Sequence, residues 1–148
     1  MQKLSTILVL NGPNLNFLGN REKNIYGSKS LEEINEKLTV LAHQYDCDIN
    51  FFQSNYEGVL IDKIQDARNK YSGIIINAGA YTHTSIALLD ALRIFSKPVI
   101  EVHMSNIYSR EWFRTNSFVS YIAEGSVCGF GFLSYEIALK TIIKMVYV

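Results

Sequence analysis

Short runs of β-branched and apolar residues alternate along this chain with longer segments whose apolar residues recur at helical spacing. The short runs predict strands at residues 6–10, 48–54, 73–77, 98–103 and about 126–130. The longer segments predict helices at residues 30–45, 57–70, 84–95 and about 133–146. Because strands separated by helices need crossover connections, we expect a parallel sheet covered by helices on both faces.

The length of the chain fits one such domain. With 148 residues it can bury a core without disulfides or structural metals. We therefore expect residues 1–148 to form a single flavodoxin-like α/β domain with a five-stranded parallel sheet. Ligands of such folds bind beyond the carboxyl ends of the strands, where the strand order reverses. Functional residues should therefore directly follow the strands.

The composition argues against several classes of function. Lysine and arginine together number 14, as do aspartate and glutamate, so the net charge is zero. This balance predicts no nucleic-acid partner and no attachment to a membrane surface. No apolar run is long enough to span a bilayer, and the first one is too short for a signal peptide. Cys47 and Cys128 stand far apart, which predicts buried thiols in a reducing compartment, the cytoplasm.

The connection after the first strand, residues 11–29, is long for a strand-to-helix loop. Long loops in compact domains are usually lids or binding loops. This one carries Arg21 and Tyr26 over the expected strand ends. A tyrosine hydroxyl has a pKa of about 10, but a nearby guanidinium favours its ionised form and makes it a usable base. The alternative is a structural aromatic residue beside a surface arginine.

Polar residues alternate at the end of the fourth strand. Glu101, His103 and Ser105 share one face, and His83 arrives from the end of the third strand. One interpretation is a proton-transfer site in which the glutamate fixes the tautomer of a histidine. A second is a metal triad of His83, Glu101 and His103, as in a metal-dependent hydrolase. A third is a buried histidine that is merely satisfied by its neighbour.

Two further segments carry charges whose role the pattern leaves open. Residues 109–114 predict a helix capped by Ser109, with Arg110 and Arg114 on one face. That face could be solvated or could hold an anionic substrate. Asp90 is a lone acid on an otherwise apolar helix, which is typical of a partly exposed residue.

Two non-catalytic modules with the same fold are disfavoured. A flavin or nucleotide carrier needs a loop rich in Ser, Thr and Gly after strand one, but Asn11-Gly-Pro-Asn14 offers few hydroxyls. A phosphorelay receiver needs acidic residues after strand one and an aspartate at the end of strand three. This chain has asparagines at both places, including Asn77.

Together these motifs resemble the type II 3-dehydroquinate dehydratases over nearly the whole chain. The matching stretches are Asn11-Gly-Pro-Asn-Leu-Asn, Leu18-Gly-Asn-Arg-Glu, Ile25-Tyr-Gly, Gln53-Ser-Asn, Glu57-Gly, Asn77, Gly79-Ala-Tyr-Thr-His-Thr-Ser85, Asp90-Ala-Leu, Glu101-Val-His-Met-Ser-Asn106, Arg110-Glu, Phe113-Arg and Gly129-Phe-Gly131. Each stretch alone is weak, but their common order and spacing are specific. The chain departs from the family at Ala78, Tyr56 and Ser134, where proline, histidine and glycine are usual.

The resemblance implies a lyase that converts 3-dehydroquinate to 3-dehydroshikimate by eliminating water through an enolate. The reaction serves the shikimate pathway, for aromatic amino acids, or quinate breakdown. The resemblance also implies that the enzyme uses no metal and no organic cofactor. The implied assembly is a homododecamer built as a tetramer of trimers.

The resemblance further implies a role for each catalytic residue. Tyr26 resembles the general base that removes the proton alpha to the ketone, and Arg21 the residue that stabilises its tyrosinate. Asn14 would hold a water against the enolate oxygen. His103 resembles the general acid that protonates the departing hydroxyl, with Glu101 orienting the histidine pair.

A second set of residues resembles the family's substrate-binding positions. Backbone amides near Met104 and Ser105 would hold the substrate carboxylate, and Asp90 would complete the site of a neighbouring subunit. The full set is Asn77, His83, Asp90, Met104, Ser105 and Arg114.

Overall fold

Five strands form one sheet, and the computed structural model describes residues 4–147, so residues 1–3 and 148 of the expected domain lie outside it. The strands are β1 (Thr6–Asn11), β2 (Asp48–Gln53), β3 (Gly73–Asn77), β4 (Val99–His103) and β5 (Gly125–Cys128). Their order is β2-β1-β3-β4-β5, and every neighbouring pair is parallel. The predicted five-stranded parallel sheet is confirmed.

Helices cover both faces of the sheet, as predicted. They are α1 (Lys23–Tyr26), α2 (Leu31–Gln44), α3 (Glu57–Ala67), α4 (Ile86–Phe95) and α5 (Phe132–Val146). Helices α2 and α5 pack with Ile7 and Val9 in one buried cluster, whereas α3 and α4 pack with Leu8 and Leu10 in another. Alternate residues of β1 thus pack into the two clusters in turn, because successive side chains of a strand point to opposite faces. Within residues 4–147, no helix is long and apolar enough to cross a membrane.

The lid, residues 11–29, is more ordered than the sequence predicted. Asn11 is the last residue of β1, and the rest contains a 3-10 turn (Leu15–Phe17) and the single turn of α1. Asn14 and Glu22 adopt left-handed backbone conformations, with φ of 67° and 33°. Asparagine tolerates this region, so Asn14 turns the chain directly after β1. The lid is therefore a folded connection that ends by presenting Tyr26.

The predicted helix at residues 109–114 is wrong. Two 3-10 turns, Ile107–Ser109 and Trp112–Arg114, flank Arg110, whose backbone is extended. The capping residue of the first turn is Asn106, whose side chain accepts a hydrogen bond from the amide of Tyr108. Because Asn106 caps the chain three residues before Ser109, the turn ends where the helix was expected to begin.

Other predicted boundaries shift by a few residues. Helix α3 ends at Ala67, α4 begins at Ile86 after the cap Ser85, and β5 is the segment 125–128. Gly129, with φ of +93°, turns the chain away from the sheet earlier than the apolar pattern indicated.

The sheet reverses its strand order between β1 and β3, and the two strands end side by side. Asn11 pairs with Asn77, and the amide of Gly12 donates to the carbonyl of Asn77 at 2.7 Å. A side chain at Gly12 would place its Cβ 2.3 Å from the carbonyl oxygen of Ala78, so only glycine fits. This close approach brings the lid and the loop after β3 to one edge of the sheet.

Candidate active site

A pocket of about 100 Å³ lies beyond the carboxyl ends of β1, β3 and β4. Its walls come from the lid, the loop after β3 and the segment after β4. It brings together most of the predicted site residues, namely Asn14, Arg21, Tyr26, Asn77, His83, His103, Met104, Ser105 and Arg114. Glu101 lies behind this wall in contact with His103, whereas Asp90 lies outside it.

Two arginines surround Tyr26 on the lid side of the pocket. Arg110 Nη1 donates a hydrogen bond of 2.8 Å to the hydroxyl oxygen of Tyr26. The guanidinium of Arg21 lies over the tyrosine ring, 4.6 Å from its centroid, and pairs with exposed Glu22 at 3.1 Å. A cation that donates a hydrogen bond to a tyrosine oxygen stabilises the ionised form of that tyrosine most. Arg110 makes such a bond to Tyr26, so it is a closer electrostatic partner than Arg21.

Sequence reasoning did not place Arg110 in the site. It named Arg110 only as one of two arginines on a helical face, and that helix does not exist. The extended backbone at Arg110 instead turns its side chain toward Tyr26, and Nη1 also lies 3.4 Å from Ser105 Oγ. The signal that could have found it was the match of Arg110-Glu to the family pattern.

His103 and Glu101 form a buried pair on the opposite wall. His103 Nε2 lies 2.7 Å from Glu101 Oε2, and the two residues are 5% and 1% exposed. Burial opposes ionisation of this carboxyl, yet the hydrogen bonds from His103, Ser117 and Ser120 outweigh it and lower the pKa of Glu101 to about 2. A carboxylate at Nε2 fixes the tautomer of His103, so its Nδ1 is the nitrogen available to the pocket.

His83 is held separately from Glu101. Its Nδ1 lies 2.8 Å from the carbonyl oxygen of Asn116, which can only accept, so Nδ1 carries the proton. Its ring stacks on that of His103 at 6.4 Å between centroids. Burial lowers the pKa of His83, only partly opposed by the bond to Asn116, so the ring is neutral at pH 7. The glutamate thus orients His103 directly, and reaches His83 only through stacking.

The same geometry bears on the alternative of a metal triad. Glu101 Oε2 is occupied by His103, and His83 turns its Nδ1 toward a carbonyl. Among residues 4–147, no group of three or more His, Cys, Asp or Glu side chains is arranged to hold a metal ion. Each of the three residues that the sequence suggested for a metal thus has one donor atom engaged with another residue or with the backbone.

A buried tyrosine fixes the floor of the pocket at Asn77. Asn77 Nδ2 donates to the hydroxyl of Tyr135 at 2.9 Å, and that hydroxyl donates to Asn11 Oδ1 at 2.6 Å. Complete burial raises the pKa of Tyr135, so it stays protonated as this relay requires. Ala78 has a φ of −74°, which a proline would also adopt, so its replacement of the usual proline keeps this backbone conformation.

The remaining predicted residues separate into two groups. Arg114 lines the pocket, and its Nε bonds to Glu111 at 2.7 Å. Together with buried Ser105 it supplies donors for an anion. Asp90 is exposed on α4 and pairs with Arg93 at 3.7 Å. It does not line the pocket of its own chain.

Comparisons with known proteins match nearly the whole chain. The family model of class II dehydroquinases matches residues 5–143. The 3-dehydroquinate dehydratase of Prochlorococcus marinus (strain NATL1A) is 57% identical, over 93% of this chain and 95% of its own. That of Acaryochloris marina (strain MBIC 11017) is 54% identical, over 93% of both chains. The crystal structure of type II dehydroquinase from Butyrivibrio crossotus DSM 2876 superposes with a TM-score of 0.91 at 44% identity, covering 98% of this chain and 99% of that one.

Proposed function

This chain belongs to the class II dehydroquinase family, and we propose that Tyr26 and His103 are the base and the acid with which it dehydrates 3-dehydroquinate. The enzyme is a lyase that converts 3-dehydroquinate to 3-dehydroshikimate, a step of the shikimate pathway. The same reaction would serve quinate breakdown. The observation that carries the assignment of roles is that Tyr26 and His103 line one pocket from different walls.

The proposed first step is removal of the proton alpha to the ketone by Tyr26. The base must be a tyrosinate, and Arg110 supports that charge by direct hydrogen bonding at 2.8 Å. Arg21, stacked on the ring, adds a second positive charge. The enolate that forms carries negative charge on oxygen, where Asn14, which also lines the pocket, would hold a water.

The proposed second step is departure of the hydroxyl with a proton from His103. Hydroxide is a poor leaving group, so a donor is needed. Protonated His103 keeps Nε2 on Glu101 and turns Nδ1 to the pocket, and the buried carboxylate stabilises the imidazolium. Transfer from Nδ1 to the leaving oxygen returns the ring to its neutral form.

The substrate carboxylate would be held by donors near Arg114. Ser105 and the backbone amides near Met104 and Ser105 border the same pocket, where the unprotonated Nε2 of neutral His83 can accept a hydrogen bond from a substrate hydroxyl. Asn77 contributes an amide whose orientation is set by Tyr135. The mechanism requires neither a metal nor an organic cofactor, so a strong chelator is expected to leave turnover unchanged.

We further propose a homododecamer, a tetramer of trimers, in the cytoplasm. Asp90 would complete the pocket of a neighbouring subunit, and its exposed position outside its own pocket supports this role. Exposed aromatic residues also favour a surface that another subunit covers, notably Tyr108, Trp112 and Tyr121. Light scattering should give a mass near twelve times 16.8 kDa. A fully active monomer would contradict both the assembly and the role of Asp90.

The function itself is tested by an ultraviolet assay with purified 3-dehydroquinate. The product contains a conjugated enone that the substrate lacks, so absorbance should rise in step with enzyme concentration. The matched control is Tyr26→Phe at the same concentration. An equal rise with that variant would exclude Tyr26 as the base, and the absence of any rise with the unmodified enzyme would exclude the function.

A further inference from the structure

Glu101 receives hydrogen bonds from four hydroxyl groups in addition to its contact with His103. Thr82 and Ser117 donate to Oε2 at 3.1 and 2.5 Å. Ser120 and Ser126 donate to Oε1, the latter at 2.8 Å. The four groups come from the loop after β3, the segment between β4 and β5, and β5 itself. Holding a histidine in place requires fewer donors than this carboxylate has.

The two carboxylate oxygens have different surroundings. Oε2 bonds to His103 and to two hydroxyls, whereas Oε1 bonds only to Ser120 and Ser126. Ser126 faces Glu101 in the register of β4 and β5, and Ser120 lies in a 3-10 turn (Val119–Tyr121). Neither serine lines the catalytic pocket. Their hydroxyls are linked to the catalytic pocket through Glu101, to which both donate.

We propose that Ser120 and Ser126 are positioning residues that keep Glu101 ionised and aligned, and so hold His103 as a competent acid. The proposal rests on the role of His103 given above. A buried carboxyl without donors takes up a proton, because burial disfavours its charge. An ionised carboxylate can only accept hydrogen bonds, so hydroxyls that donate to it favour the charged form. A protonated Glu101 would lose the charge that stabilises the imidazolium of His103.

The other titratable groups around Glu101 do not provide this stabilisation. Cys128 on β5 is a neutral thiol, since burial and then the charge of Glu101 raise its pKa to about 11. His83, after β3, is neutral at pH 7, and Arg114 acts on that histidine through its charge while its Nε bonds to Glu111. On β4 itself only His103 bonds to the carboxylate. His103 lowers the pKa of Glu101 most, through its hydrogen bond and its charge, and hydroxyl groups such as those of Ser117 and Ser120 supply the remaining support.

The test uses the full-length assembled enzyme with Ser120→Ala and Ser126→Ala, alone and combined. Both serines are exposed, so removing an oxygen leaves the core intact. Ser120→Thr and Ser126→Thr keep the hydroxyl and serve as rescue variants. Ser72→Ala, the same change directly before β3 and away from Glu101, is the matched control. Each variant is titrated by isotope-edited infrared spectroscopy, in which the band of the protonated carboxyl is assigned by its absence in Glu101→Gln.

The double variant should show the Glu101 carboxyl protonating at higher pH, by about one unit for each hydroxyl removed. The acidic limb of kcat should move upward with it, while KM at neutral pH stays within about twofold. The threonine variants and Ser72→Ala should match the unmodified enzyme in both readouts. An infrared titration that does not move would overturn the proposal.

A different combination separates this proposal from the role of His103. If the infrared titration moves and the acidic limb of kcat does not, the serines stabilise Glu101 without acting on catalysis, which also overturns the proposal. Failure of the His103 assignment would instead appear as full dehydration in His103→Ala. The melting temperature of the double variant should fall but stay well above the assay temperature, which shows that the kinetic shift does not come from loss of fold.

Discussion

The two walls of the pocket hold their reactive groups in different ways. Tyr26 ends a single helical turn on the lid, half-buried, and its hydroxyl contacts one arginine from another segment. His103 lies at the end of β4, nearly inaccessible, and is bonded to a carboxylate that has four further partners. The proposed acid is positioned by buried hydrogen bonds that form with the fold. The proposed base is positioned by a partly buried hydrogen bond between the lid and the segment after β4.

This difference predicts how substitutions in each wall affect turnover and stability. A buried, multiply bonded pair couples catalysis to folding, because removing one partner leaves a polar group unsatisfied. A lid contact can be lost without such a penalty, and a lid must open to admit substrate. Variants of the lid should therefore affect turnover alone, whereas variants of the β4 wall should affect turnover and stability together.

The largest effect is expected for Tyr26→Phe. The ring remains, but the ionisable oxygen is lost, so turnover should fall by roughly 10³-fold or more. The melting temperature should stay within about 2 °C, because a half-buried hydroxyl on a lid is removed. Steady-state kinetics and calorimetry check both claims, and Tyr56→Phe, an exposed tyrosine, is the control. Near-normal turnover would show that the base lies elsewhere.

His103→Ala should reduce dehydration by about 10²- to 10⁴-fold and also lower stability, by about 1–3 kcal/mol. If enolate formation and hydroxyl departure are separate steps, this variant should still exchange the alpha proton of bound substrate with deuterated solvent. Tyr26→Phe should lose both reactions. Proton exchange is followed by NMR and unfolding by denaturant titration. Full dehydration by His103→Ala would show that the β4 wall does not supply the acid.

The two arginines of the lid wall should differ in importance. Arg110→Lys keeps the charge but loses the planar donor that meets Tyr26, so turnover should fall about 10- to 100-fold. Arg21→Lys, which loses only a stacked contact, should cost less. Comparison of the two kcat values decides the order. A larger loss for Arg21→Lys would mean that stacking, and not the direct hydrogen bond, supports the tyrosinate.

The smallest effect is expected on the stability of the unmodified enzyme in acid, and turnover at neutral pH is not affected. The pKa of Glu101 is lowered from its ordinary 4.5 to about 2 in the folded protein. Its contribution is therefore fully present above about pH 4.5 and is lost as the pH falls toward 2. The loss amounts to about 3 kcal/mol of unfolding free energy. Glu101→Gln should have a flatter dependence in this range, and an equally steep one would place the acid sensitivity elsewhere.

The sequence predicted β1, β3 and β4 well because each is a compact, largely apolar run between turn residues. It also predicted that residues after β1, β3 and β4 would meet, since parallel strands end at one edge. It did not predict the position of Arg110, because Asn106 caps a shorter turn that replaces the expected helix. The hydroxyls around Glu101 have no common spacing, so no periodic pattern indicated that Ser117, Ser120 and Ser126 converge.

The central position of β1 has a consequence for synthesis of the protein. Ile7 of β1 pairs with Gly73 of β3, 66 residues further along the chain. At the usual pace of translation those residues take about 3 to 13 seconds to emerge. Throughout that interval a strand with four consecutive apolar residues has an unpaired edge, which is the kind of segment that chaperones protect. The first strand made is thus among the last to be enclosed, and pairing over such a distance makes folding slow for a protein of this size.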